Sequence, residues 1–132
     1  MRQKGQGIIE FAIVLPLFLL FLFGIIYSGM LFYDHATLSN IARASAREAA
    51  ITAVPSVNGR YAEIEGYYKG KMDMLLTTLY LPRTEEMLTI TEDTDRMVHS
   101  EIIMDRNPDS SVLMRIILPD TYTIHYQMRK EP

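Results

Sequence analysis

Phe11–Tyr33 reads FAIVLPLFLLFLFGIIYSGMLFY and contains no charged residue. About 20 apolar residues, each rising ~1.5 Å, cross the hydrocarbon of a bilayer, so this stretch is predicted to be a membrane-spanning helix. The run is longer than the roughly 7–15 apolar residues of a secretory signal. The small-x-small triplets Ala42-Arg43-Ala44 and Ala44-Ser45-Ala46 lie too far beyond it to be a signal cleavage site. Pro16 removes a backbone donor inside the run, and a helix kink is expected near Ile13–Pro16. Before the run stand Arg2, Lys4, Gly5 and one acid, Glu10. A carboxylate at the mouth of a membrane helix is costly to place, which points to a function.

The spacing around that acid is Gly5-Gln6-Gly7-Ile8-Ile9-Glu10-Phe11, a G-x-x-x-x-E-F pattern. It resembles the processing site of type IVb prepilins of the Flp/Tad class. The wider stretch GQGIIEFAIVLPLFLLFLFGII, followed by IARASAREAA at residues 41–50, resembles the TadE-like pseudopilins. The resemblance covers residues 5–50 and is weak beyond them. It implies a prepilin leader at residues 1–5, a transmembrane and assembly helix at 6–33, and an exported globular pilin-like domain at 34–132. It also implies that a prepilin peptidase cuts between Gly5 and Gln6, with Glu10 and Phe11 as processing and assembly determinants. In assembled pilins the glutamate equivalent to Glu10 meets the new α-amine of a neighbouring subunit. An ion pair of that kind is far stronger in hydrocarbon than in water.

Arg2 and Lys4 precede the run, and Arg43 and Arg47 follow it, so charge bias says little about orientation. A cytoplasmic N-terminus and an outer C-terminal domain rest on the resemblance. So do the expected locations, an inner or cytoplasmic membrane and then an extracellular pilus.

The chain has 132 residues, room for one small domain beside the anchor. The net charge is −3, and all but one of the 16 acids lie after Tyr33. No basic patch stands out, so nucleic acid is not an expected partner. The chain has no cysteine, which removes disulfides, thiol chemistry and cysteine-zinc sites.

Past Tyr33 the helix is expected to continue through Asp34–Val54. Leu38, Ile41, Ser45, Ala49 and Thr52 or Ala53 recur at steps of three and four. The alanines of this stretch are read as a face packed on the chain's own domain, and Arg43 and Arg47 as a solvated stripe. Pro55–Gly59 reads as a turn. Tyr61–Leu81 reads as a second helix stopped by Pro82, with Ile64, Tyr67 or Tyr68, Met72, Leu75, Leu76 and Leu79 on its apolar face. After Pro82 the pattern turns strand-like: Thr89–Thr91, Met97–Met104, the apolar run Val112–Leu118, and Thr121–Gln127. In the last, Tyr122, Ile124, Tyr126 and Met128 face one way. The expected fold is α+β: the long helix, a second helix, and a three- or four-stranded antiparallel sheet with one face covered by the helix from residue 34 onward.

No catalytic constellation, cofactor or metal site is expected. His35, His99 and His125 are scattered along the chain. Glu92, Asp93 and Asp95 lack the glycine and final glutamate of a calcium loop and read as a solvated turn. The favoured function is a minor pilin or pseudopilin, not an enzyme, that primes, caps or joins a Tad-type pilus. Its expected partners are the peptidase, other pilins and pseudopilins (TadF-like, major Flp pilin), the membrane and the Tad assembly platform. The alternative is a permanently anchored single-span scaffold or enzyme subunit with an uncut leader.

Overall fold

The structure, a computed structural model, describes residues 2–52, 61–77, 79–82 and 87–131. Helix α1 runs Arg2–Ile51 without a break, Pro16 included. The chain divides into two compact units, Met1–Tyr33 and Asp34–Pro132.

The first unit is helical throughout its described residues. Its side chains are apolar on every side, and Ile8, Phe11, Phe18, Phe21, Phe23 and Ile25 are all more than half exposed. A helix that is apolar all round and unburied in its own chain is suited to lipid or to other helices, not to water. It is the one helix among the described residues long and apolar enough to cross a membrane, with a mean hydropathy of 2.7 over its best window.

The second unit is built differently. Within residues 34–51 the buried positions are Asp34, Leu38, Ile41, Ala42, Ser45, Ala46, Ala49 and Ala50. Their steps of one, three and four trace a single face of a helix. Helix α2 follows at Ala62–Leu75 and buries Ile64, Glu65, Tyr68 and Met72. The expected turn at Pro55–Gly59 lies outside the described residues.

Four antiparallel strands complete the unit: β1 (Tyr80–Pro82), β2 (Leu88–Glu92), β3 (Met97–Arg106) and β4 (Thr121–Arg129). β3 is central. β4 pairs along one edge of it, from Met97↔Arg129 to Asp105↔Thr121. β2 and β1 share the other edge end to end, since β3 residues 98–102 and 104–106 take them as partners. Leu88 and Ile90 of β2 and Val98, Ser100, Ile102 and Met104 of β3 are buried, and Tyr122, Ile124, Tyr126 and Met128 of β4 are half-buried on the same face. The hydroxyls of Ser45 and Ser100 hydrogen-bond at 2.9 Å inside this layer, so the helix from residue 34 onward does cover the sheet. Its alanines let the backbone come close, while the large side chains of the sheet supply most of the apolar area, at about 25 cal/mol per Å² removed from water.

Two expectations are corrected. The second helix ends at Leu75 instead of Leu81. Leu76 is already extended, with φ −81° and ψ 151°. The next amide, Thr77 N–H, donates to Asp34 Oδ1 at 2.9 Å. Tyr80–Pro82 then pairs with Met104–Arg106, an edge position that tolerates proline. The apolar run after Ser111 is also no strand. Val112–Ile117 forms a short helix, α3, in the connection between β3 and β4. β3 has no free edge left, because β4 and β1–β2 occupy both. Arg106 fixes the helical alternative, its Nη1 donating to the carbonyls of Arg115 at 3.1 Å and Leu118 at 3.0 Å. An apolar run of this length cannot be told from a strand by periodicity alone.

Candidate processing and assembly segment

Gly5, Gln6, Glu10 and Phe11 all lie in α1 and all are exposed. Gln6 and Glu10 are four residues apart, so their side chains share one helix face a turn apart. Gly5 is five residues from Glu10 and lies off that face. Among the described residues the Glu10 carboxylate makes no hydrogen bond or ion pair. Further along, Ser28 Oγ donates to Gly24 O at 2.8 Å, so this hydroxyl is satisfied within its own helix. Phe21, Gly24, Ile25, Ser28, Gly29 and Phe32 line an open groove on the helix surface. A Cβ added at Gly24 or Gly29 would meet nothing within 4 Å, so this chain's own packing does not require those glycines.

The second unit carries its polar groups as internal fasteners. Asp34 is 3% exposed and accepts hydrogen bonds from both the amide and the hydroxyl of Thr77. One residue on, His35 Nδ1 is hydrogen-bonded to Tyr122 Oη. Glu65 is buried on α2, where its Oε1 accepts from Ile90 N–H at 2.8 Å and covers the edge of β2. Tyr68 Oη donates to Glu48 Oε2 at 2.8 Å. Burial first, and then that hydrogen bond, push the Tyr68 phenol up to about 12.

The acidic cluster at the end of β2 is more than a solvated turn. Tyr61 Oη donates to Glu92 Oε2 at 2.5 Å, and Lys130 Nζ donates to the two Glu92 oxygens at 3.1 and 2.9 Å and to Tyr61 Oη at 3.2 Å. The hydrogen bonds from Tyr61 and Lys130 hold Glu92 below the usual carboxylate value. The hydrogen bond to Glu92 raises Lys130. Burial, and then the bond to Glu92, raises Tyr61. Asp93 and Asp95 stay exposed in the turn itself.

The structure thus places the sequence-predicted residues on one helix and brings Gln6 and Glu10 to one face. Among the described residues it gathers no hydrogen-bond or ion-pair partner around Glu10. Arg43 lies over the Tyr126 ring at 5.6 Å, a contact invisible in the charge pattern. The fasteners Asp34, Glu65, Tyr61 and Lys130 were missed as well. Acids inside a helical apolar pattern (Asp34 and Glu65) were the available signal. Residues 5–47 match the family model of TadE-like proteins. That match lies wholly inside α1 and contains Gly5, Gln6, Glu10, Phe11 and Pro16. No curated protein and no solved structure matches the chain.

Proposed function

We propose that the chain is a minor pilin or pseudopilin of a Tad-type pilus, anchored by its apolar helix, processed by a prepilin peptidase and built into an assembly. The observation that carries this is the TadE-like match over residues 5–47, which includes the G-x-x-x-x-E-F pattern. The bare apolar surface of the first unit supports it, since a helix that buries nothing in its own domain is free to pack in lipid and then among neighbouring subunits. The small residues Gly24, Ser28 and Gly29 allow close helix approach. In this reading the protein is not an enzyme. Cutting after Gly5 frees the Gln6 amine, and Glu10 supplies the carboxylate for a neighbour's amine. Its partners are the peptidase, TadF-like and major Flp pilins, and the assembly platform. The N-terminus faces the cytoplasm, and the domain faces outward until the pilus carries it outside the cell.

The scissile bond lies inside a helix, and a peptidase needs extended backbone. Gly5 and Gly7 each lower helix stability by about 1 kcal/mol relative to alanine, which makes local unwinding there cheaper. The test is intact-mass analysis of the full chain from membranes, with and without a cognate prepilin peptidase. Loss of residues 1–5 with the enzyme, abolished by Gly5→Leu, is the expected result. A second arm follows processed Glu10→Gln protein, which should enter assemblies about tenfold less than the parent, the equivalent of about 1.4 kcal/mol. An N-terminus unchanged by active peptidase would instead favour a permanently anchored single-span protein.

A further inference from the structure

The second unit has two unlike ends. α1 and β4 run side by side in the same direction, with His35 on Tyr122 and, further along, Arg43 over Tyr126. The start of β4, and the β3–β4 connection that carries α3, therefore lie at the end where the chain enters the unit from Tyr33. The C-terminal turn of α2 lies there too, because Thr77 is bonded to Asp34. At this end Met74 is 87% exposed, Leu75 44%, Val112 72%, Leu113 51%, Ile116 80% and Ile117 64%. At the other end, the β2–β3 turn presents Asp93, Thr94, Asp95 and Arg96 to solvent. Scattered single hydrophobics on a surface need no explanation, but six large exposed ones gathered at one end of a small unit call for one.

We infer that α3 and the last turn of α2 form an apolar rim that rests in the headgroup layer of the bilayer entered by α1. The inference rests on the reading of Phe11–Tyr33 as a membrane span. Asp34 follows Tyr33 directly, and a helix advances only ~1.5 Å per residue. The entry end of the unit is thus held at the level of the lipid headgroups by covalent connection. No such constraint brings a soluble partner there. The composition of α3, VLMRII, suits that layer. Val112, Leu113, Ile116 and Ile117 supply apolar surface, and the exposed Arg115 can extend to lipid phosphates. The rim would fix the tilt of the domain on the membrane and would have to leave the lipid when the subunit is extracted.

The absence of native cysteine permits a direct test. Ile116→Cys, Asp95→Cys and Phe21→Cys are each labelled with an environment-sensitive fluorophore in the full chain. The labelled proteins are reconstituted in vesicles of phosphatidylcholine and phosphatidylglycerol that carry nitroxide quenchers at shallow or deep acyl positions. The Ile116 probe should shift to the blue and be quenched by the shallow nitroxide, at a depth of about 5–10 Å. The Asp95 probe should stay water-like, and the Phe21 probe should respond to the deep nitroxide. A water-like Ile116 probe beside a deep Phe21 probe overturns the rim and leaves the span intact. A water-like Phe21 probe overturns the span reading and the rim with it. An Ile116 probe shielded from water but insensitive to both nitroxides, with shielding that grows with protein density, would assign the patch to a second copy and overturn the lipid assignment.

Discussion

Residues 5–33 and residues 34–131 use the same amino acids to opposite ends. In the first stretch Phe, Leu and Ile are exposed, and among the described residues the lone carboxylate makes no hydrogen bond or ion pair. In the second, Leu88, Ile90, Ile102 and Met104 are fully buried, and Asp34 and Glu65 are buried beneath hydrogen bonds that satisfy them. The two stretches meet at Tyr33–Asp34 within one continuous helix. What changes there is the environment each side chain is built for. A lipid-facing helix needs only length and uniform apolarity, whereas a small water-soluble core must also pair every polar group it encloses.

The sharpest way to break this comparison is to remove the first fastener after the boundary. In Asp34→Ala the amide and hydroxyl of the half-buried Thr77 lose their acceptor. A fully buried donor left unmade costs about 1–3 kcal/mol, and two half-buried donors are affected here, each at the lower end of that range. The expected loss is about 2–3 kcal/mol from the α+β unit, read as a lower melting temperature of the detergent-solubilised full chain. Asp34→Asn, which keeps one acceptor, should lose less. The helical signal of residues 5–33 should be unchanged in both. A melting temperature equal to the parent's would show that Thr77 finds water instead and that the fastener is dispensable.

This difference between the regions also explains what was legible in the sequence. The apolar run and the G-x-x-x-x-E-F spacing are local patterns, readable without knowing what packs on what. The same holds for Tyr122, Ile124, Tyr126 and Met128, whose alternation the half-buried face of β4 matches. The readings that failed depended on competition between distant segments. Val112–Leu118 looks like a strand until β3 is seen to have both edges filled. Leu76–Tyr80 looks helical until Asp34 takes the Thr77 amide and β3 takes Tyr80. The roles of Gly5, Gln6 and Glu10 rest on the resemblance of that spacing to a prepilin processing site, and the helix shows only that Gln6 and Glu10 share a face.

A smaller effect belongs to the Tyr61–Glu92–Lys130 cluster. Glu92 is held below its usual value of 4.5, so its contribution is present above that value and is lost as pH falls through the lowered one. Lys130 is raised above 10.5 and Tyr61 above 10.0, so their contributions are present at lower pH and are lost as pH rises through the raised values. The unit should therefore hold a stability plateau across neutral pH and weaken at both extremes. Glu92→Gln removes the charge that Lys130 and Tyr61 share. It should cost about 1–1.5 kcal/mol at pH 7 and flatten the acid side of the profile, as read by melting temperature against pH. A variant whose acid limb is as steep as the parent's would transfer that limb to other carboxylates.

The smallest expected effect has the opposite sign. Asp93 N–H donates to Met97 O at 2.8 Å, and Arg96 N–H donates to Asp93 O at 3.1 Å, closing the β2–β3 hairpin. Arg96 takes φ 60° to complete the turn. A non-glycine residue in the left-handed region costs about 1–2 kcal/mol, while glycine adopts it freely but loses more chain entropy on folding. The balance should leave Arg96→Gly about 0.5 kcal/mol more stable than the parent. The arginine lies beside Glu92, and its charge helps to hold that carboxyl low, so part of the gain should be lost near pH 7 and regained at acid pH. Melting curves of Arg96→Gly in the parent and in Glu92→Gln separate the two contributions. With Glu92 neutralised, the glycine should give its full gain at every pH. If it instead destabilises both backgrounds, the turn is held by the arginine side chain and not strained by its backbone.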